Sequence, residues 1–378
     1  MPAIERVLTE RELNRALLAR QLLLERVRLP LPRALERIGG IQAQYAPSMY
    51  VGLWSRLDGF ERDALTRALH RRAVVQATLM RATIHLVSRR DYWPFAVALR
   101  ERRRCASGGL GRARVYKVSE KEFERAAGRI RAFLADGPRR DGEIVEALGN
   151  DIWRPGVGLW VELVRAPPFG TWEQRRADLY ALAETWVGPE DATTDEGVDL
   201  LVRRYLGGFG PAPPADVADW AGLKMTTIKP ALERLNLRRF RDESGKELLD
   251  LPRAPLPHPD TPAPVRFLPV WDATLLVHAR RTGTLPERYR PVIFNTRTPH
   301  SFNTFLVDGR VAGAWRYEDE RVRLEPFGRI PREARAELNE EAERLADFIR
   351  TGSARAPARR AAPPGRPRRS AGRATRRA

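Results

Sequence analysis

The sequence has few of the residues on which disulfide and metal chemistry depend. It contains one cysteine, Cys105, which excludes a disulfide within the chain. Its five histidines are scattered, and no CxxC or HExxH pattern is present. We therefore expect neither a metal site nor a cofactor.

Long apolar runs are also missing. No stretch approaches the roughly 20 apolar residues that a membrane helix needs, and the opening MPAIERVLTERELNR lacks the apolar core of a signal peptide. With 43% hydrophobic and 30% charged residues, the composition is ordinary for a globular chain. We expect a soluble, cytoplasmic protein of about two to four modules that does not bind membranes.

Lysine is scarce, with five residues among 67 basic ones, yet the net charge is +19. Residues 353–378 hold nine arginines and no acidic residue, and this Arg/Ala/Pro/Gly-rich tail is predicted to be disordered because it has nothing to bury. The body of the chain, residues 1–352, still carries a net charge of +10. A basic body favours double-stranded DNA as a partner and the nucleoid as a location, although arginine-rich composition is also typical of GC-rich genomes.

A repeated order of helices followed by two strands divides the first 260 residues into three units. Residues 1–105 predict helices over ELNRALLARQLLLERV, capped by Thr9 and Glu12, over PRALERIGG and over ERDALTRALHRR, then a hairpin of VVQATLM and TIHLVS. Residues 106–190 predict a helix capped by Ser119, helices at DGEIVEALG and near VGLWVELV, and strands at 169–172 and 179–182. Residues 191–260 show the order most clearly, with PPADVADWAG and MTTIKPALERL as a helix-turn-helix pair. This is the order of a winged helix.

Residues 261–352 have a different character. After the proline-rich APLPHPDTPAP, the stretch RFLPVWDATLLVHARR predicts a strand running into a helix, and TFLVDGRVAGAWRYEDERVRLEPF predicts two hairpins, with a turn at Asp308–Gly309. An amphipathic helix, PREARAELNEEAERLADFIR, ends the body. The expected fold class is α+β: three tandem winged-helix modules, a small β-barrel or sheet with a C-terminal helix, and the disordered tail. Tandem modules in one chain make a monomer the expected state.

Two glutamines stand one residue apart in GGIQAQYAPSMY. Pro47 argues against a helix, and Gly39 and Gly40 are suited to end the preceding one, so we expect Gln42 and Gln44 on one face of an extended segment. Two neutral amides there can donate and accept hydrogen bonds together. From these residues alone, satisfying loop backbone groups is the simpler interpretation.

Five stretches, in this order, resemble the winged-helix DNA glycosylases of the AlkZ and YcaQ type: GGIQAQ, LMRATIHLVSRRDY, YLGGFGPAPPADVADWAGL, LPVWDATLLVHARR and FLVDGRVAGAW. In that family the catalytic motif is Gln-x-Gln or Gln-x-Asp. Gln42–Ala43–Gln44 matches the first form, with a small alanine where a bulkier aliphatic residue is usual. The resemblance covers most of residues 5–350.

The resemblance implies a monofunctional DNA glycosylase of base excision repair in which Gln42 and Gln44 are catalytic. Two amides supply neither a strong acid nor a strong base, but they can orient a water and hydrogen-bond the sugar. These two contacts are sufficient when the departing base is already a good leaving group. The favoured substrates are therefore purines made cationic by alkylation at N7 or N3, including bulky adducts or interstrand crosslinks.

Further candidates for contact with DNA or substrate lie on the first hairpin and in a polar loop: Arg81, His85, Arg89, Arg90 and His300. The arginines could bind phosphates. For His85 a hydrogen bond to a neighbouring wing, and for His300 a plain surface loop, is the simpler interpretation. Asp272 could stabilise a sugar cation, although an aspartate before a helical pattern is first of all an N-cap.

The main alternative is a non-catalytic winged-helix protein that regulates transcription or binds damaged DNA. The two interpretations separate at Gln42 and Gln44, because a regulator has no reason to keep two amides on one face of a concave surface.

The tail leads to a first prediction. Deleting residues 353–378 should reduce the salt dependence of DNA binding, because each phosphate contact contributes roughly 0.9 to the slope of log K against log salt. Unstructured arginines neutralise phosphates without positioning a base, so the single-turnover excision rate at saturating protein should not change. Binding across a salt series and rapid-quench kinetics measure both quantities. A collapse of the saturated rate would place the tail in the site.

Overall fold

The computed structural model describes residues 3–109, 119–153, 156–275, 279, 281–294 and 302–352. Helices and strands are mixed along these ranges, so the expected α+β class is confirmed. The predicted tail, residues 353–378, lies outside the described part of the chain.

The first helices form close to where the sequence predicts them, with one addition and one correction. They are α1 (Glu10–Arg20), α2 (Leu31–Ile38), α3 (Ala46–Trp54) and α4 (Arg62–His70), with short strands β1 (Val7–Leu8) and β2 (Ile41–Gln42). The helix predicted over residues 12–27 ends at Arg20, and Leu22 has a positive φ of +58°, which an α-helix does not contain. The expectation that Pro47 excludes a helix was wrong, because Pro47 occupies the first turn of α3, where its missing N–H has no intrahelical acceptor to lose. Every residue of α3 is buried, which explains why no amphipathic pattern predicts it.

The predicted first hairpin is present. It consists of β3 (Val74–Thr78) and β4 (Ile84–Ser88), which pair antiparallel, and the long helix α5 (Arg89–Gly109) follows directly.

The next segment contains α6 (Glu120–Leu134), β5 (Arg139–Arg140), α7 (Asp141–Leu148), α8 (Asn150–Trp153), β6 (Leu163–Arg165), β7 (Leu179–Leu182) and α9 (Ala183–Trp186). The helix predicted near VGLWVELV was wrong: a single 3-10 turn, Val157–Leu159, leads into β6. Residues 169–172 form a turn rather than a strand, with Gly170 at φ +78°. In a short buried apolar run, the spacing of the apolar residues does not distinguish a helix from a strand.

One sheet joins the strands of these two segments. Its order is β2-β4-β3-β6-β7-β5, and every adjacent pair is antiparallel. β3 of the first hairpin pairs with β6 of the next segment, through the pairs Gln76–Arg165 and Ala77–Val164.

The third helical segment follows the prediction closely. It contains α10 (Thr194–Phe209), α11 (Pro214–Ala221), α12 (Met225–Arg234), β8 (Arg238–Asp242) and β9 (Glu247–Asp250). β1 adds a parallel strand to β8. Helix α10 packs closely on α5 because of a glycine: a Cβ on Gly197 would lie 2.1 Å from the carbonyl oxygen of Pro94.

The C-terminal part is an antiparallel sheet covered by a helix. Its strands, in spatial order, are β10 (Arg266–Leu268), β11 (Thr304–Val307), β12 (Arg310–Glu318) and β13 (Arg321–Pro326); the helices are α13 (Arg290–Ile293) and α14 (Arg332–Thr351). The two predicted hairpins are confirmed, and Asp308 and Gly309 have the positive φ values of a type I′ turn. Of the helix predicted after β10, the described residues show one 3-10 turn, Ala273–Leu275.

Helix α1 connects distant parts of the chain through buried arginines. Arg20 and Asp250 are both fully buried and form a bidentate pair, with N–O distances of 2.6 and 2.8 Å. Arg15 is buried too, and its guanidinium donates to the Asp308 carboxylate and to the Thr261 carbonyl. α1 therefore holds both β9 and the β11–β12 turn. Across the described ranges, no helix is both long and apolar enough to cross a bilayer.

Candidate functional site

The segment that carries Gln42 and Gln44 is turned onto the first hairpin by two glycines. Gly39 ends α2 with φ +79°, and Gly40 follows with φ +82°, a conformation that residues with a Cβ rarely adopt. A Cβ on Gly40 would lie 3.0 Å from the carbonyl oxygen of Leu86. The glycines thus bring the chain directly into β2, against β4.

The register of β2 on β4 decides where Gln42 points. Ile41 pairs with Leu86, and both are buried in one apolar cluster. Side chains alternate along a strand, so Gln42 and its partner His85 face the other way, with Cβ atoms about 4.5–5.5 Å apart. Ala77 of β3 flanks His85 on its other side.

Gln44 continues this pairing with its side chain. The Ala43 N–H donates to the Ile84 carbonyl at 2.7 Å, and the Ile84 N–H donates to Oε1 of Gln44, also at 2.7 Å. Gln44 therefore does satisfy a backbone group, as the simpler interpretation held. Its amide oxygen has a second lone pair, however, and the side chain is exposed, so it can accept another hydrogen bond.

Arg81 contacts Gln42 from the turn of the hairpin. Arg81 and Ala82 both have positive φ, +51° and +56°, a strained conformation for residues with a side chain. The guanidinium donates to Oε1 of Gln42 at 3.4 Å and, by a shorter bond, to the carbonyl of Trp220 near the end of α11. Burial lowers the pKa of Arg81. No carboxylate contacts this guanidinium in the described part of the chain.

His85 is buried, with 3% of its surface exposed. Its Nδ1 lies 3.0 Å from the Thr83 carbonyl oxygen and 3.5 Å from the Thr83 hydroxyl. Burial, and next the positive charge of Arg81, lower the pKa of His85 to about 3. The imidazole is therefore neutral at physiological pH.

Asp272 forms a buried ion pair behind Gln42. Its two oxygens accept from Nη1 and Nη2 of Arg56 at 2.9 and 2.8 Å, and Oδ1 also accepts from the Thr274 N–H at 2.9 Å. The latter contact is an N-cap of the 3-10 turn, as expected. Burial acts to raise the pKa of Asp272, but the charge and hydrogen bonds of Arg56, together with the hydrogen bonds from Thr274, lower the net pKa.

A small cavity connects this ion pair to Gln42. It has a volume of about 10 Å³ and is lined by Gln42, Ser48, Arg56 and Asp272, among others. This is about the space of one water. The Ser48 hydroxyl is buried and makes no hydrogen bond within the described ranges.

The predicted site residues fall into three groups. Gln42, Gln44, Arg81 and His85 lie together where β2 meets the first hairpin. Asp272 lies behind them. Arg89 and Arg90 are exposed at the start of α5, at the other end of β4, and Arg89 donates to the Val187 carbonyl.

His300 lies outside the described residues. Arg56, Ser48 and Trp220 are neighbours of the site that the sequence did not reveal, because one arginine, one serine and one tryptophan carry no pattern of their own. Within the ranges described, no three His, Cys, Asp or Glu side chains are grouped so as to hold a metal ion.

A family model described as "DNA glycosylase AlkZ-like" matches residues 35–348. The chain belongs to the AlkZ-like DNA glycosylase family. The resemblance read from the sequence is therefore confirmed, and with it the enzyme class, a DNA glycosylase whose substrate is DNA.

A solved structure is similar to this AlkZ-like chain over nearly its whole length. It is the DNA glycosylase AlkZ of Streptomyces sahachiroi, with a TM-score of 0.75, 18% sequence identity, and coverage of 93% of this chain and 99% of that chain. At this identity the similarity shows a shared fold. No curated protein matches the sequence significantly.

The ion pair behind Gln42 leads to a second prediction. Asp272→Ala should lower the free energy of unfolding by about 3–5 kcal/mol, because it leaves the buried Arg56 charge unpaired. Asp58→Ala is the matched control: it breaks a pair whose arginine is 84% exposed, and should cost about 1 kcal/mol or less. Urea unfolding measures both.

The lowered pKa of Asp272 also predicts how the stability of the folded protein changes with pH. Because the folded pKa of Asp272 is lowered, its stabilisation is present above the unfolded pKa, about 4, and is lost as pH falls through the folded value. Asp272→Asn should remove this part of the acid sensitivity. An Asp272→Asn variant that is as stable as wild type but cannot excise a base would instead assign Asp272 to the reaction.

Proposed function

We propose that this glycosylase hydrolyses the N-glycosidic bond of purines made cationic by alkylation at N7 or N3, with Gln42 and Gln44 positioning the attacking water. Bulky N7 adducts and interstrand crosslinks belong to the same chemical class. The observation that carries the proposal is that two neighbouring amides are both held through their oxygens: Arg81 donates to the oxygen of Gln42, and a strand N–H donates to the oxygen of Gln44.

These contacts suggest a different role for each glutamine. With its oxygen directed to Arg81, Gln42 has its NH2 group free to donate to the oxygen of the water. Gln44 has one lone pair left after the contact with Ile84, and this lone pair accepts a hydrogen of the water. Together the two amides orient the water without deprotonating it.

The proposed substrate class follows from what neutral amides cannot do. Neither glutamine can protonate a departing base. A purine alkylated at N7 or N3 does not need a proton, because the electron pair of the broken C1′–N9 bond cancels its positive charge. The water oxygen then forms the new bond to C1′ and loses one proton to the surrounding water, leaving an abasic sugar and a neutral base. Uncharged lesions such as uracil lack this advantage.

We further propose that the enzyme holds duplex DNA as a monomer, in the cytoplasm at the nucleoid. Residues 1–105, 106–190 and 191–260 would act as three winged helices, with residues 261–352 as the β-rich unit beside them. The exposed Arg89 and Arg90 are suited to phosphate contacts, and the body charge of +10 supports a polyanionic partner.

The test of this proposal uses a duplex with one N7-methylguanine. Wild-type protein should release the base and leave an abasic site, and Gln42→Ala and Gln44→Ala should each lower the single-turnover rate by about 100-fold or more. Binding of the lesion duplex should stay within a few-fold, as for a contact made in the transition state. Asn339→Ala, which removes an exposed carboxamide on α14, is the matched control and should react like wild type.

Two further variants sharpen the result. The double variant Gln42→Ala/Gln44→Ala should be little slower than either single variant, because two groups that hold one water act as a unit. Gln44→Asp should keep part of the activity, since a carboxylate also accepts from the Ile84 N–H and from water. If both alanine variants excise the base at the wild-type rate, the proposed mechanism is wrong.

A separate prediction concerns metals. Because water, two amides and the charge of the substrate suffice for this reaction, excision should proceed unchanged in EDTA. The single-turnover rate before and after chelation is the measurement. Loss of activity that an added divalent ion restores would contradict the proposal and make Asp272 and the histidines candidates for ligands.

A further inference from the structure

The proposed arrangement leaves one atom of the water unassigned. A water has two hydrogens and two lone pairs. One lone pair attacks C1′, the other accepts from the NH2 group of Gln42, and one hydrogen is donated to Oε1 of Gln44. The second hydrogen needs an acceptor, and in this arrangement, where Gln42 acts as a donor and Gln44 accepts the first hydrogen, none is yet assigned.

His85 is a polar side chain that the sheet places beside Gln42. It is the cross-strand partner of Gln42, so the two side chains leave the same face of the sheet, with Cβ atoms about 4.5–5.5 Å apart. Its neighbour on β3 is Ala77, whose methyl group offers no hydrogen bond. Arg81, which donates to Gln42, also acts electrostatically on the His85 ring.

The tautomer of His85 follows from its contact with Thr83. A carbonyl oxygen can only accept, so Nδ1, at 3.0 Å from the Thr83 oxygen, carries the proton. In a neutral imidazole Nε2 then has a free lone pair. Nε2 makes no hydrogen bond within the described part of the chain, and it is not one of the fully buried polar atoms without a partner. Its lone pair is therefore available to accept a hydrogen bond.

We propose that Nε2 of His85 accepts the second hydrogen of the attacking water, which makes His85 a third catalytic residue beside Gln42 and Gln44. The inference rests on the proposed function. This role also gives a reason why the proton stays on Nδ1. The contact with Thr83 holds Nδ1 at the hairpin turn and leaves Nε2 as the acceptor.

The proton balance is simple. When the water oxygen bonds to C1′ it becomes positively charged and strongly acidic, while the C1′–N9 electron pair leaves with the purine. Nε2 takes the proton from this oxygen and later releases it to bulk water. Burial and the charge of Arg81 make His85 too weak a base for neutral water but sufficient for a protonated alcohol. The proton is thus transferred after the C–O bond has begun to form.

This order of events predicts a flat pH–rate profile. The charged group that acts on His85 is Arg81, and the strand neighbours Gln42 and Ala77 do not titrate. His85 should therefore stay neutral from pH about 5 to 9, and the single-turnover rate should not change across this range. An inflection near the ordinary histidine pKa, about 6.5, would overturn the assignment.

Two substitutions separate a catalytic role from a structural one. In His85→Asn the amide NH2 lies near the position of Nδ1, so the bond to Thr83 is kept and the Nε2 acceptor is lost. In His85→Gln the amide lies near the position of Nε2, so an acceptor is kept and the bond to Thr83 is lost. His70→Asn, an exposed histidine at the end of α4, is the matched control.

The catalytic role predicts that His85→Asn excises N7-methylguanine at least about tenfold more slowly, with unchanged lesion binding and unfolding temperature. His85→Gln should be less stable but keep a larger part of the rate. A purely structural histidine predicts the reverse order, and that result would overturn the proposal.

These experiments distinguish failure of the role proposed for His85 from failure of the proposed function. If wild type releases no base from the lesion duplex, the proposed function itself fails. If wild type is active and Gln42→Ala is slow while His85→Asn matches wild type, only the role of His85 is refuted. If His85→Asn does not fold, the pH–rate profile of the wild type and the excision rate of His85→Gln still test whether His85 is catalytic.

Discussion

The pairing of a two-residue strand with the first hairpin is the constraint on which the site depends. Ile41 is buried opposite Leu86, and this contact sets Gln42 opposite His85. Side chains alternate along a strand, so a shift of one residue would turn Gln42 into the apolar cluster and Ile41 out of it. The pairing is possible because Gly39 and Gly40 occupy left-handed conformations and Gly40 fits closely against the backbone of β4.

The electrostatics of the site suit a substrate that carries its own charge. Among the described residues, the side chains that contact Gln42, Gln44 and His85 include no carboxylate. The nearby carboxylate of Asp272 is committed to Arg56 in a buried pair. In the proposed mechanism two neutral amides hold the water, and the neutral imidazole takes its proton only after the bond to the sugar has begun to form. None of these groups can protonate a departing base. A leaving group activated by alkylation fits such a site.

Buried arginines of α1 join distant parts of the chain. Arg20 joins α1 to Asp250 at the end of β9, and Arg15 joins it to the Asp308 turn of the C-terminal sheet. Arg81 makes a similar connection locally, between Gln42 and the end of α11. The position of Gln42 thus depends on the third helical segment as well as on its own hairpin, and this long-range dependence has no signature in the sequence.

The sequence by itself determined the local elements and the motif. Capping at Thr9, the β3–β4 hairpin, the helix-turn-helix pair and the Asp308–Gly309 turn were predicted because each depends on residues close in sequence. The Gln42–Ala43–Gln44 motif was identified through the resemblance to a known family, since the residues alone favoured a structural role. Only the tertiary structure decided the rest: the helical state of the fully buried α3, the single six-stranded sheet, and the partners of Gln42, His85 and Asp272. These depend on contacts between residues far apart in the chain, where one arginine among 67 basic residues cannot be told from another by sequence alone.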